Sequence, residues 1–161
     1  ALRHGIEHCN GKYIIMGDAD DSYNFLELSL FIERLQAGYD MVMGNRFAGG
    51  ITKGAMPWLH RYVGNPFLSS LGRFLFKNNI GDFHCGLRAF TKKCYNIINP
   101  QCNGMEFASE LVALASIHQM RICEIPVTLY PDGRKRRPHL RSWRDGFRHM
   151  VLLYSLYLLR N

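Results

Sequence analysis

The chain has 161 residues, 47% of them hydrophobic and 20% charged. That length and balance suit one globular domain with its own core, and exclude a disordered tail or a small disulfide-stapled scaffold. Twenty Lys and Arg stand against thirteen Asp and Glu, a net charge of +7 that implies an anionic partner.

In chain order, Lys12-Tyr-Ile-Ile-Met-Gly17 is a short apolar run, the pattern of a buried strand. It runs into the polar loop Asp18-Ala-Asp-Asp-Ser22. Phe25, Leu28, Ile32 and Leu35 then recur at helical spacing, with Ser22 or Asn24 available as N-cap and Gly38 as the stop. Asp40-Met-Val-Met-Gly44 reads as a second strand. Strand, loop, helix and strand in about thirty residues form a βαβ unit, which predicts parallel pairing.

Trp58 to Phe76 is helical except at Pro66, which divides or kinks the helix. Asp82 to Phe90 reads as a loop and a short strand, and Phe107, Leu111, Leu114 and Ile117 mark another helix. Arg121 to Tyr130 is a strand whose Pro126 places it at an edge or a bulge. Pro131 to Arg141 is a basic loop. The last helix, Ser142 to Arg160, carries Trp143, Phe147, Met150, Val151, Tyr154 and Leu158 on one side. No repeat or linker interrupts the chain. The expected fold is α/β, a mostly parallel sheet covered by helices, with residues 1–141 as the body and 142–161 as an amphipathic C-terminal helix.

The positive charge is concentrated late. Arg134, Lys135, Arg136, Arg137, Arg141, Arg144 and Arg148 lie between Pro131 and Met150, against Asp132 and Asp145. The run lacks the aromatic platform or recognisable module of a nucleic-acid binder, so no nucleic-acid partner is expected. Basic residues feeding an apolar helix suit an anionic membrane surface; a helix packed into the core is the competing reading. The longest apolar run, Met150 to Leu159, is about half the ~20 residues a spanning helix needs. Cys9, Cys85, Cys94, Cys102 and Cys123 form no C-x-x-C pair and are odd in number, which favours a reducing compartment. With no secretory signal at the start, the expected location is cytoplasmic and peripheral to the membrane. A helix-like opening at Ala1 and an abrupt end after an apolar stretch read as an excerpt of a longer protein.

Asp18 and Asp20 follow a buried strand. Carboxylates at i and i+2 on extended backbone point the same way and can share one hard cation, Mg²⁺ or Mn²⁺. Such a cation keeps positions for diphosphate oxygens, and the carboxyl ends of α/β strands are where ligands collect. Two other readings stand beside it: Asp20, Asp21 and Ser22 as a helix cap, and the Asp-x-Asp of a haloacid dehalogenase-like phosphatase. Ser22 in the fifth position and Gly17 before the first Asp fit the phosphatase pattern poorly. A third class, a non-catalytic basic module, would be indifferent to both carboxylates.

Read together, six elements occur in order: Gly17-Asp-Ala-Asp-Asp-Ser-Tyr23, Gly44-Asn-Arg-Phe47, Trp58-Leu-His-Arg-Tyr-Val-Gly-Asn65, Asp82-Phe-His-Cys-Gly-Leu-Arg-Ala-Phe90, Met105-Glu-Phe-Ala-Ser-Glu110 and Glu124-Ile-Pro126. The set resembles the family 2 glycosyltransferases, in particular the dolichol-phosphate mannosyltransferase-like branch that makes polyprenyl-phosphate sugars. The resemblance implies the C-terminal portion of a GT-A, nucleotide-diphospho-sugar transferase domain. It implies inverting transfer of a hexose from a nucleotide-sugar donor to a lipid-phosphate acceptor. In that pattern Asp18 and Asp20 hold Mg²⁺ or Mn²⁺ on the donor diphosphate. Arg46 and Arg61 fall near the acceptor phosphate, Asp82 and Arg88 line the reaction cleft as the catalytic candidates, and Glu106 and Glu110 fall in the helix that follows. Arg134, Arg136 and Arg137 belong to a mobile loop that closes on the phosphates. An anionic acceptor dispenses with a strong general base; for a neutral hydroxyl acceptor, Asp82 is the candidate. His84 and Cys85 read as packing residues. The family's opening strand and Pro-x-x-Asn-Glu-like turn, which bind the nucleoside, have no counterpart in this sequence.

Overall fold

The computed structural model describes residues 2–133 and 142–160. A short helix α1 (Leu2–His8) leads to strand β1 (Tyr13–Met16). Asn24 caps a single 3₁₀ turn (Phe25–Glu27) through Leu26 N–H, and α2 (Leu28–Gln36) continues it. Gly38, at φ 92°, takes the left-handed turn that ends α2 and returns the chain to β2 (Met41–Asn45). A one-turn helix α3 (Arg46–Gly49) follows, capped by the Asn45 side chain on Ala48 N–H at 2.9 Å.

Pro66 falls in the first turn of α4 (Asn65–Phe76), where its missing N–H costs least. The irregularity lies just upstream instead: His60–Gly64 is a π-helical turn, and Asn65 N–H reaches His60 O five residues back. Then come β3 (Arg88–Thr91), α5 (Lys92–Ile98), α6 (Phe107–Ile117), β4 (Ile122–Pro126) and α7 (Ser142–Arg160).

The sheet order is β1-β3-β2-β4. It is mixed, which corrects the expectation of a mostly parallel sheet. β3 runs antiparallel to both β1 and β2, and only β2 with β4 is parallel. β1 and β2 do point the same way, as a βαβ unit requires, but β3 inserts between them. Its buried Arg88-Ala-Phe90 run is compatible with either direction, so hydrophobic pattern alone did not reveal the insertion. β4 is the outer strand, as Pro126 requires.

Alternation along the central strands splits the core across the sheet. Met41, Met43 and Phe90 join Phe83, Phe107, Leu111 and Val112 beneath α6. Val42 and Ala89 join Phe31, Leu35, Leu87 and Ile125 beneath α2. α7 lies across α4 and α6 and inserts the fully buried Leu153 against Leu75, Phe76 and Ala113. Of the apolar set on one side of this helix, Phe147, Val151, Tyr154 and Leu158 are exposed. Leu153 and the buried His149 do the packing. All five cysteines are free thiols, and among the described residues no helix is long and apolar enough to cross a membrane.

Candidate active site

β1 ends at Met16, paired with Arg88 of β3. The chain then emerges through Gly17 into the carboxylate loop. Asp18 is exposed, and its carboxylate lies flat against the Gly86 backbone: a Cβ built on Gly86 would sit 2.6 Å from Asp18 Cγ. Asp20 Oδ1 accepts from Ser22 N–H at 3.1 Å and from Ser22 Oγ. Asp21 supports the turn with φ 61°, a left-handed conformation that Asp tolerates better than most residues. The segment after β4 is stitched to this loop. Tyr130 N–H donates to Ser22 O and Gly133 N–H to Asp20 O, at 2.9 and 2.8 Å. The chain that enters residues 134–141 therefore starts on the carboxylate loop. Arg134, Arg136 and Arg137 themselves lie outside the described residues.

At the end of β2, Arg46 opens α3 and turns inward to a buried, bidentate pair with Asp82. Nε donates to Oδ2 and Nη2 to Oδ1, both at 2.7 Å, and Arg46 N–H adds a third bond to Oδ2 at 3.1 Å. Burial alone would weaken the charge on Arg46, but the hydrogen bonds and the negative charge of Asp82 outweigh it and hold the guanidinium protonated. Asp82 Oδ1 also accepts His84 N–H at 3.3 Å, so all four bonds go to its two oxygens and the residue is closed to solvent. Glu124, from the Glu-Ile-Pro strand, caps the turn beneath it, accepting Gly81 N–H and Asp82 N–H at 2.9 Å each.

Arg88 is fully buried too, and its guanidinium is held by backbone carbonyls. Its Nη1 donates to Ala108 O at 3.0 Å, and Nε and Nη2 share Cys85 O. Burial lowers its pKa. Its guanidinium thus fastens the 82–88 loop to the start of α6. The same loop is held from three other directions: Phe83 N–H donates to Ser69 Oγ of α4, His84 Nε2 meets Ser109 Oγ of α6, and Gly86 N–H donates to Tyr23 Oη. Cys85 is a packed thiol whose pKa burial pushes up to about 11.

Arg61 sits on the π turn, half-buried, with Nη1 3.4 Å from Ile51 O and its guanidinium over the Tyr62 ring. Its neighbour His60 lies close enough to Arg46 that burial and that positive charge together lower its pKa. From His60 an apolar groove of about 390 Å³ runs between the π turn, α4 and α7, lined by Leu59, Val63, Phe67, Phe147 and Met150.

The structure thus brings Asp18, Asp20, Arg46, Arg61, Asp82 and Arg88 to the end of the sheet where β1, β2 and β4 terminate. It pairs Asp82 with Arg46, thirty-six residues away, rather than with Arg88. Glu110 accepts Gln101 and Cys102 N–H with its two oxygens and is occupied as a cap, while Glu106 pairs with Arg148 of α7. Sequence reasoning missed Glu124 as the support of Asp82; the Glu-x-Pro element was visible, but nothing in it named the partner. It also missed Ser109 and His149, which carry no pattern of their own. Among the described residues no cluster of three or more His, Cys, Asp or Glu could hold a metal ion. Two hard carboxylates alone fit a Mg²⁺ or Mn²⁺ that completes its shell with phosphate oxygens and water.

The sheet is a mixed α/β sheet with the Asp18–Asp20 loop at the end of its first strand. The glycosyl transferase family 2 model matches residues 1–97. The "low-salt glycan biosynthesis hexosyltransferase Agl6" of Haloferax volcanii is 38% identical over 151 residues, which is 93% of this chain and 36% of that protein. The "dolichyl-phosphate hexose transferase" of the same organism is 32% identical over 71% of this chain and 48% of its own length. The "polyprenol monophosphomannose synthase" of Mycolicibacterium smegmatis is 30% identical over 69% of this chain and 43% of its own. The chain belongs to glycosyl transferase family 2, related to dolichyl- and polyprenyl-phosphate sugar transferases, which leaves no place for the phosphatase reading. It spans half or less of the length of these relatives. Among crystal structures, glucosyl-3-phosphoglycerate synthase of Mycobacterium tuberculosis, bound to Mn²⁺, UDP and glucosyl-3-phosphoglycerate, has a TM-score of 0.64 at 14% identity. It is matched over 99% of this chain and 53% of its own, a likeness of fold.

Proposed function

We propose that this chain is part of an enzyme that moves a hexose from a nucleotide-diphospho-sugar to a polyprenyl phosphate at a membrane surface, inverting the anomeric carbon. The observation that carries the reading is the run from the Arg46–Asp82 pair, past His60, into the apolar groove beside α7, with the Asp18–Asp20 loop at the end of β1 in the same sheet. That order matches a substrate set of diphosphate, phosphate and hydrocarbon. The names of the dolichyl-phosphate and polyprenol relatives support the acceptor, and the Mn²⁺ and UDP held by the structural neighbour support the donor and cation.

Asp18 and Asp20 would hold Mg²⁺ or Mn²⁺, which neutralises charge developing on the departing diphosphate. Asp82 takes Nε and Nη2 of Arg46, so Nη1 is the edge left for an acceptor phosphate. With four hydrogen bonds on its carboxylate, Asp82 acts as the positioning partner of Arg46 and not as a base. A phosphate acceptor is already ionised, and needs none. Arg61 adds charge at the mouth of the groove, and Arg134, Arg136 and Arg137 are assigned to phosphate binding. The exposed Trp58, Tyr62, Phe67, Phe147 and Tyr154, set among Arg61, Arg144 and Arg148, would lie against anionic lipid from the cytoplasmic side.

The test uses the longest natural form of the protein with Mn²⁺ and UDP- and GDP-hexoses. It offers three acceptors: a short-chain prenyl phosphate, 3-phosphoglycerate and a neutral glycolipid. A hexosyl prenyl phosphodiester by mass spectrometry is the expected product. Product on either of the other acceptors alone would overturn the assignment.

A further inference from the structure

The geometry points to Ser109 of α6 and His149 of α7 as positioning residues for the Arg46–Asp82 pair. They act through a buried relay, His149–Ser109–His84, by which α7 fixes the 82–88 loop. Ser109 Oγ is fully buried, 2.7 Å from His149 Nδ1 and 2.9 Å from His84 Nε2, and the two rings meet edge to face at 4.8 Å. The next link is backbone. His84 N–H donates to Asp82 Oδ1, the same oxygen that takes Arg46 Nη2 at 2.7 Å. A shift of the His84 ring is thereby felt at the carboxylate that aims Arg46.

The protons in this relay have one direction. Ser109 Oγ meets only these two ring nitrogens among the described residues, so its one hydrogen goes to one of them and the other donates to the oxygen. His84 Nδ1 is buried and has no hydrogen-bond partner among the described residues. An orphaned acceptor is tolerated better there than an orphaned N–H donor. His84 is therefore protonated on Nε2 and donates to Ser109 Oγ, whose hydroxyl donates to His149 Nδ1, leaving His149 protonated on Nε2. Both rings are neutral, because burial depresses them. Arg46 and Arg88 face the first ring, and Glu106, Asp145 and Arg148 the second. Arg148, beside His149, pairs with Glu106 at the start of α6, so the two helices are clamped at the relay. α7 is also the helix whose outer face is apolar, so whatever seats that face bears on the relay. The consequence for phosphate binding rests on the reading of Arg46 given above; the relay does not.

The experiment is ¹⁵N NMR on the longest natural form of the protein, labelled at His and Arg. Both His84 and His149 are expected as Nε2–H tautomers, with a slowly exchanging Arg46 Nε–H. Ser109→Ala, and separately His149→Ala, should speed exchange of Arg46 Nε–H about tenfold, the effect of losing one hydrogen bond from the local network. Ser109→Ala removes a single oxygen and carries the test if His149→Ala does not fold. Unchanged Arg46 exchange in a folded Ser109→Ala protein, or His84 protonated on Nδ1, would overturn the proposal. Titration with inorganic phosphate separates the two readings. Faster exchange in the variants with no phosphate-induced shift at Arg46 would uphold the relay and refute Arg46 as a phosphate ligand.

Discussion

Gly86→Ala displaces the Asp18 carboxylate without removing any carboxylate from the loop. Gly86 is not in the left-handed region, so alanine brings no backbone strain. Its new Cβ would lie 2.6 Å from Asp18 Cγ, where carbon atoms are at their optimum at about 3.5–4.0 Å. The carboxylate must therefore retreat by roughly 1 Å. Asp18 is exposed, so the displacement falls on a surface side chain, and the change in folding stability should stay within about 0.5 kcal/mol, as for an ordinary surface substitution. A metal-bridged diphosphate tolerates far less: misplacement by about 1 Å can cost on the order of a hundredfold in rate. Mn²⁺-dependent hexose transfer and the melting temperature, measured side by side, should show a rate down about a hundredfold with an almost unchanged Tm. Wild-type transfer from Gly86→Ala at wild-type Tm would refute Asp18 as a ligand of the cation.

Asp82→Ala leaves the Arg46 guanidinium buried and unpaired, and should cost about 3–5 kcal/mol in urea unfolding; a loss below about 1 kcal/mol would contradict the buried pair. Because burial holds His84 and His149 below their ordinary 6.5, the unfolded chain binds more protons than the folded one under that pH. Their contribution is whole above 6.5 and is lost as pH falls below it, so Tm should drop between pH 7 and 5. A Tm flat across that interval in the wild type, or an equal drop in His149→Phe, would contradict the neutral histidines. Phe147→Ser with Tyr154→Ser, both on the exposed face of α7, should weaken sedimentation with anionic vesicles without lowering Tm; undiminished binding would detach that face from the membrane.

What was legible in the sequence was what local pattern encodes. The Asn24 cap, the Gly38 stop, the edge position required by Pro126 and the buried run of β2 all appear as read. The direction of β3 did not, since an apolar run buried on both faces pairs equally well either way, and a long excursion from Arg46 to Leu87 hid its insertion. The stripe of α7 was legible, but helical spacing does not say which side meets the core; Leu153 and His149 make the packed side. Asp18 and Asp20 were read from their type and their place after a strand, and Arg46 from the family resemblance; the structure puts all three near strand ends. The partner of Asp82 was not, because a pair thirty-six residues apart has no periodicity, and Arg88 and Arg46 are equivalent candidates until the chain is folded. The Ser109–His149 contact lies forty residues apart and is fixed only by how α7 crosses α6.

The most direct measurement is the rate of hexose transfer to a prenyl phosphate by the longest natural form of the protein, with Mn²⁺ and with EDTA, for wild type and Asp20→Ala. Transfer lost in EDTA and restored by Mn²⁺, but absent from an Asp20→Ala protein with an unaltered circular dichroism spectrum, is the predicted result. Transfer that persists in EDTA, or in Asp20→Ala, would contradict a metal-dependent reaction at this loop.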